Sequence, residues 1–240
     1  GSGTLTPAEH RAYMRLAVAA TSDLYHANRW VRYVAVFQNW LRPAGASFDH
    51  LHKQLVGIDE RGVTSELELQ KVRANPNLYN EMGVDYAAYQ GLLVASNEHA
   101  VAFAGFGHRY PTLEVYSTSA TPEPWLMGRE EVDAVSDLIH ALHAATGADV
   151  PSNEEWHHRP LGVDQPMPWH VTLKWRVSTL AGFEGGTKIY LNTIDPWVLR
   201  DRVVGRLEDL RADRLVAPMA VGEECPTTPN RLRYNPVLGR

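Results

Sequence analysis

The stretch NWLRPAGASFDHLHKQ, residues 39–54, sets His50, His52 and Gln54 at alternate positions near its end. Run as an extended chain, a period of two aims those three side chains at one face and one site. Two imidazoles and an amide make a poor core, because buried polar groups must find hydrogen-bond partners. They are well suited to attacking, binding or orienting a phosphate. Near neutral pH a useful fraction of imidazole is unprotonated, and its free nitrogen is then a competent nucleophile.

The flanking sequence predicts a mixed α and β chain. Thr6-Pro7-Ala8-Glu9 is a capping box with proline at the first helical position, predicting a helix from there toward His26. Residues 30–37, rich in β-branched and aromatic side chains, read as a strand leading into the motif. Residues 65–74 read as a short charged helix. Residues 99–106 and 112–117 read as strands on either side of a turn. Val132, Val135, Leu138, Ile139 and Leu142 recur at helical spacing, predicting an amphipathic helix over 129–145. Residues 169–177 alternate: Trp169, Val171, Leu173 and Trp175 share one face, His170, Thr172, Lys174 and Arg176 the other. Residues 187–192 are expected as a further strand, Asp195-Pro196 to open a helix, and residues from 216 onward to form an irregular tail.

The chain has 240 residues, enough to bury a real core, and a net charge of −5, which offers no general basic field for nucleic acid. No apolar run approaches the ~20 residues that span a bilayer, and no signal peptide is visible. Cys225 is the only cysteine, so an internal disulfide and a cysteine-pair metal site are excluded and a cytoplasmic location is expected. Gly1-Ser2-Gly3 reads as a cloning or cleavage scar.

Val36-Phe37-Gln38-Asn39, then Gly45-Ala46-Ser47, then His50-Leu51-His52-Lys53-Gln54 resembles the ordered motif of the galactose-1-phosphate uridylyltransferase branch of the histidine-triad superfamily. That branch typically reads F-E-N, a short loop, G-x-S, then H-P-H-x-Q. The spacing fits without a gap. Gln38 departs from the usual acidic residue, Leu51 from proline and Lys53 from a small residue. Farther on, residues 153–160 resemble a G-W-H-x-A-P segment, and Pro168-Trp169-His170-Val171-Thr172 a later H-x-H strand. Gly182-Phe183-Glu184 resembles a G-[FY]-E strand, particularly that of the ADP-glucose phosphorylase-like branch.

The resemblance implies an α+β fold of tandem histidine-triad-like units, antiparallel sheets with packed helices. The first unit, with the H-x-H-x-Q motif, would end near residue 80; the second would run over 81–215, with residues 216–240 as the tail. The likeness begins inside the family's first domain, so its N-terminal strands are expected to be missing and the first unit incomplete. An N-terminal fragment, a second subunit or a homodimer mate would then complete the sheet, since a cut there leaves an open edge.

The same resemblance implies double displacement between a nucleoside diphosphate sugar and a sugar 1-phosphate, through a nucleotidyl-histidine on His52. Ser47 and Gln54 match positions that contact the phosphoryl group, although both are also ordinary turn and strand-end residues. Asn39 either shapes its turn or orients the loop in the substrate site. Glu184 is expected to grip sugar hydroxyls, and Asn192 is a further substrate-binding candidate. The family's zinc or other transition metal would draw on His50, which otherwise hydrogen-bonds its loop. A second metal would draw on Glu68, His157 and His170. Thr172 stands where that site's third histidine is expected, and a hydroxyl replaces imidazole poorly on a transition metal; His157, His158 and His170 then form a polar network instead. Two other classes fit the same residues: a phosphorylase or hydrolase of nucleotide sugars or dinucleotides, and a silent nucleotide-binding protein. Neither a nucleic acid nor a membrane is an expected partner.

Overall fold

The computed structural model describes residues 1–48 and 50–236. Its strands are β1 Tyr33–Trp40, β2 Gln54–Ile58, β3 Leu93–Ser96, β4 Ala100–Ala104, β5 Thr112–Ser117, β6 Ser152–His157, β7 His170–Trp175 and β8 Ala220–Val221. They form a single sheet in the order β2-β1-β6-β7-β5-β4-β3-β8, with every neighbouring pair antiparallel. The helices are α1 Pro7–Ala27, α2 Gly62–Ala74, α3 Asp85–Tyr89, α4 Arg129–Thr146, α5 Gly182–Thr187 and α6 Pro196–Ala212. The α+β expectation holds, and strands from before and after residue 80 join one sheet where β1 pairs with β6.

Period-two alternation decides which side of the sheet each residue faces. Val34 and Val36 of β1, Leu113 and Val115 of β5, and Val171 and Leu173 of β7 point to one face. There they join Met14 and Ala17 of α1 and Val135, Leu138 and Ile139 of α4 in the main core. Arg11 to Asp137 at 2.6 Å and Arg15 to Asp133 at 2.5 Å tie the rims of those two helices together. The helix α1 starts as predicted: the Thr6 hydroxyl accepts from the Glu9 amide at 3.3 Å, and the Glu9 carboxylate accepts from the Thr6 amide at 2.8 Å. Thr6→Ala should therefore lower unfolding stability by about 1 kcal/mol, read by urea denaturation, because one first-turn donor loses its acceptor.

One expectation is corrected. Residues 187–192 form no strand: Gly182–Thr187 is instead a short exposed helix ending at Lys188, whose φ of +61° turns the chain away. Ile189 and Leu191 do alternate, but both are exposed and no sheet strand among the described residues pairs with them. The tail is largely irregular, as expected, yet packed: Leu232 and Tyr234 are buried and the Asn80 side chain bonds both the amide and the carbonyl of Leu232. Residues 1–3 pack against the fold. Ser2 is 1 % exposed and exchanges hydrogen bonds with Gln38, while a Cβ at Gly3 would stand 2.4 Å from the backbone of Ala144 in α4.

Candidate active site

The sheet's other face carries the chemistry, and register places it in rows. Gln54, Phe37, Glu155, Thr172 and Glu114 stand side by side across β2, β1, β6, β7 and β5. Asn39, Asn153, Lys174 and Thr112 form the row on one side; His157, His170 and Tyr116 form the row on the other. The helix α2 lies over part of this face. Between them runs a cleft of about 430 Å³, lined among others by Phe37, Asn39, Ser65, Glu155, His157 and Lys174.

The motif is only partly a strand. β2 begins at Gln54, so His50 and His52 sit on the irregular approach to it. The chain enters that approach through a tight turn at Arg42–Ala44, with Leu41 at φ +65° and Gly45 at φ +88°. His52 Nδ1 lies 2.8 Å from the His50 carbonyl oxygen, so Nδ1 carries the proton and donates. Its Nε2 is thereby left with a lone pair, 3.1 Å from the Gln54 amide nitrogen. This is the tautomer a nucleophile requires. The Phe48 ring packs 4.7 Å from the His52 ring, and Ser47 is exposed just before it. Asp49, inside the motif loop, lies outside the described residues.

Lys53, between these two side chains in sequence, points the opposite way. Its ammonium is buried and pairs with Glu154, whose second carboxylate oxygen accepts from His143 Nε2 at 2.9 Å. Burial pushes the Glu154 carboxyl up, but Lys53 and His143 outweigh it and hold it well below the usual carboxylate range. In the sequence Lys53 is a mere departure from a motif, and neither Glu154 nor His143 stands out. The available signal is parity: a residue between two outward-facing positions on a strand must face inward.

On the same open face, Glu68 of α2, His157 of β6 and His170 of β7 bring one donor atom each within 4.8 Å of one another. His157 Nδ1 lies 3.8 Å from a Glu68 oxygen, close to the roughly 3.3 Å expected between two ligands bound about 2 Å from one ion. The two imidazoles stack with 8° between their planes. His170 donates Nδ1–H to the Pro168 carbonyl at 3.0 Å, leaving Nε2 for a ligand. Burial, helped by the Lys174 charge, holds His157 at about 3; burial with His157 as neighbour does the same to His170. Burial raises Glu68 to about 7. A neutral His₂ plus carboxylate set fits a zinc-like ion with open coordination positions. The buried Thr172 Oγ1 has no hydrogen-bond partner, so its row position is polar but short of reach. His50 is exposed and stands outside this group, the only cluster of three or more such donors among the described residues. Thr172→His should add a fourth donor and slow zinc loss to a chelator roughly 10–100-fold, followed by a colorimetric zinc indicator.

The remaining candidates separate. Asn39 accepts from the Asn153 amide at 2.7 Å, so it braces the loop beside the cleft. Glu184 is not on a strand; it caps its own short helix by accepting from the Ala181 amide at 3.0 Å. Asn192 donates to the His108 carbonyl at 2.9 Å, at a separate pocket beside Phe106 and Tyr190. His158 bonds the Tyr25 hydroxyl at 3.0 Å and stacks on Tyr33, on the core side.

An antiparallel sheet with helices packed against it, with H-x-H-x-Q leading into an edge strand, is the fold of solved uridylyltransferase structures. Among solved structures, that of a uridylyltransferase mutant matches with a TM-score of 0.72 at 19% identity, over 87% of this chain and 74% of that one. The ADP-glucose phosphorylase of Arabidopsis thaliana, solved with bound ADP-glucose, matches at 0.72 and 18%, over 85% and 68%. In sequence, ADP-glucose phosphorylase from Arabidopsis thaliana is 25% identical over 178 residues, 69% of this chain and 50% of the relative. The chain thus spans half the length of that relative. It belongs to the family described as Domain of unknown function (DUF4921), which matches residues 1–234 and so includes the packed N-terminal residues.

Proposed function

We propose that the protein is an enzyme that transfers a nucleotidyl group from a nucleoside diphosphate sugar to a phosphate acceptor, through a covalent intermediate on His52. The observation that carries this is the His52 tautomer: Nδ1–H is held by the His50 carbonyl, and the unprotonated Nε2 accepts from the Gln54 amide, which turns to the phosphoryl oxygens when substrate takes its place. The Nε2 lone pair attacks the α-phosphorus; the bond from that phosphorus to the bridging oxygen breaks, and sugar 1-phosphate leaves with the electron pair. The imidazole becomes a phosphoramidate and keeps its Nδ1 proton, stabilised by the His50 carbonyl. An oxygen of the incoming phosphate then attacks the same phosphorus and the N–P bond breaks, returning neutral His52. Two in-line steps let one site serve both substrates in turn. The Gln54 amide, with Ser47 nearby in the loop, hydrogen-bonds the non-bridging oxygens as charge shifts onto them. Glutamine has no proton to trade, which suits a phosphate acceptor better than activated water.

Glu68, His157 and His170 would hold a transition metal, which would tie α2 to the sheet beside the cleft. Sugar 1-phosphate is the first acceptor reading. Orthophosphate is the second, favoured by the sequence match to an ADP-glucose phosphorylase. The test is to label the protein with α-³²P UDP-glucose and, separately, ADP-glucose, then chase with galactose 1-phosphate, glucose 1-phosphate, orthophosphate or buffer alone. Rapid discharge by a sugar phosphate supports a transferase, rapid discharge by orthophosphate a phosphorylase, and discharge in buffer a hydrolase. No label from either donor would leave a nucleotide-binding protein without this chemistry.

A further inference from the structure

In the loop that carries His52, the described backbone bonds run from Ala44, Gly45 and Ala46 back to Leu41 and Arg42, and two adjacent residues of β6 hold the loop at both ends. At its start, the Asn153 side chain is fully used. Its amide nitrogen donates to Asn39 Oδ1 at 2.7 Å and to the Ala44 carbonyl at 2.8 Å, while its oxygen accepts from Arg176 at 2.8 Å. At its end, on the sheet's other side, Glu154 grips Lys53. The Lys53 side chain is 2 % exposed, and its ammonium lies 5.3 Å from the ring centres of both Tyr13 and Trp156, whose indole N–H also donates to Glu154 at 2.6 Å. Lys53 sits directly between His52 and Gln54 in the chain. With its side chain locked inward just before β2 begins, Lys53 fixes where the strand starts, and the register of β2 cannot slip by one without exposing the Lys53 ammonium and burying the Gln54 amide. A buried ion pair of this kind is weak grounds for stability, since apolar replacements often match it. What it supplies here is placement.

We propose that Asn153 and Glu154, acting through Asn39, Ala44 and Lys53, are positioning residues that clamp the nucleophile loop from both faces of the sheet. This rests on His52 being the nucleophile. The clamp keeps Nδ1 of His52 on the His50 carbonyl and Nε2 beside the Gln54 amide; it touches no substrate atom.

The test compares the wild type with the double variant Lys53→Met, Glu154→Met, which removes both charges of the pair, and with Asn153→Ala, which removes no charge. Two readouts are taken: the rate of nucleotidyl adduct formation against nucleotide affinity, and the proportion of the His52 Nδ1–H tautomer in ¹⁵N spectra of the free protein. Both variants should form adduct roughly 10–100-fold more slowly, bind nucleotide with little change, and show a mixture of tautomers where the wild type shows one. Wild-type rate and a single tautomer in both variants would overturn the clamp. If the double variant does not unfold cooperatively, the same two readouts on Asn153→Ala decide the question. If the wild type forms no adduct, the nucleophile assignment fails by itself, and the tautomer comparison still decides whether the clamp orders the loop.

Discussion

His52→Ala should abolish labelling by α-³²P nucleotide sugar entirely, while the protein keeps its wild-type melting temperature. No other imidazole described on the motif approach has its protonated nitrogen fixed by a carbonyl and its unprotonated nitrogen accepting from Gln54. His52 is half-buried at the end of an open approach, outside the main core, so its loss should not unfold the protein. The wild-type adduct should be a P–N linkage, stable in base and labile in mild acid, and mass spectrometry should place it on the peptide that contains His52. Removing an attacking group leaves only whatever catalysis binding alone provides, so turnover should fall by about three orders of magnitude or more. Undiminished labelling of the alanine variant would sink the assignment. Gln54→Ala keeps the nucleophile and loses one oxygen-binding donor; its adduct rate should drop by roughly 10²–10³.

Acid should destabilise the metal-free protein above the pH range in which ordinary carboxylates titrate. Burial holds His157, His158 and His170 each at about 3, against an ordinary value of 6.5, so the folded state keeps them neutral. Their stabilisation is full above the unfolded value of 6.5 and drains away as pH falls toward 3. Between pH 7.5 and pH 5 each contributes a loss of about 2 kcal/mol, reduced somewhat because the rings are neighbours. His10, pushed well below its ordinary value by burial, adds to the loss. Glu68 works the other way. Raised to about 7 by burial, it favours the fold when protonated and gives back about 2 kcal/mol over the same window. The net expectation is a drop of several kcal/mol from pH 7.5 to pH 5 in urea unfolding. Equal stability at the two pH values would show that these imidazoles are already charged or hydrated in the fold. Zinc should shrink the effect, because a metal on His157 and His170 competes with protons for the same nitrogens.

Much of this protein is legible in the chain because local chemistry and the final environment agree. The Thr6 capping box starts α1, the 3.6-residue spacing of Val132, Val135, Leu138 and Ile139 makes α4, and the strict alternation of residues 169–175 sends Val171 and Leu173 to the core face and His170 and Thr172 to the other. The motif places His52 and Gln54 together, and a shared period is enough to do so. Other parts are not written locally. β6 reads as polar, SNEEWH, and becomes a strand only because β1 and β7 flank it and Lys53 neutralises its buried Glu154. The segment after Ala181 resembles a strand but finds no partner edge, so it coils into a short helix in which Glu184 caps itself. Glu68, His157 and His170 come from three separate elements, and strand register with the lie of α2 over the sheet decides that their donors meet. Sequence alone determines which residues have the chemistry and which face each turns to within its own element. Only tertiary structure decides which faces meet, because burial, register and the pairing of one buried charge with another are properties of neighbours that the chain brings in from a distance.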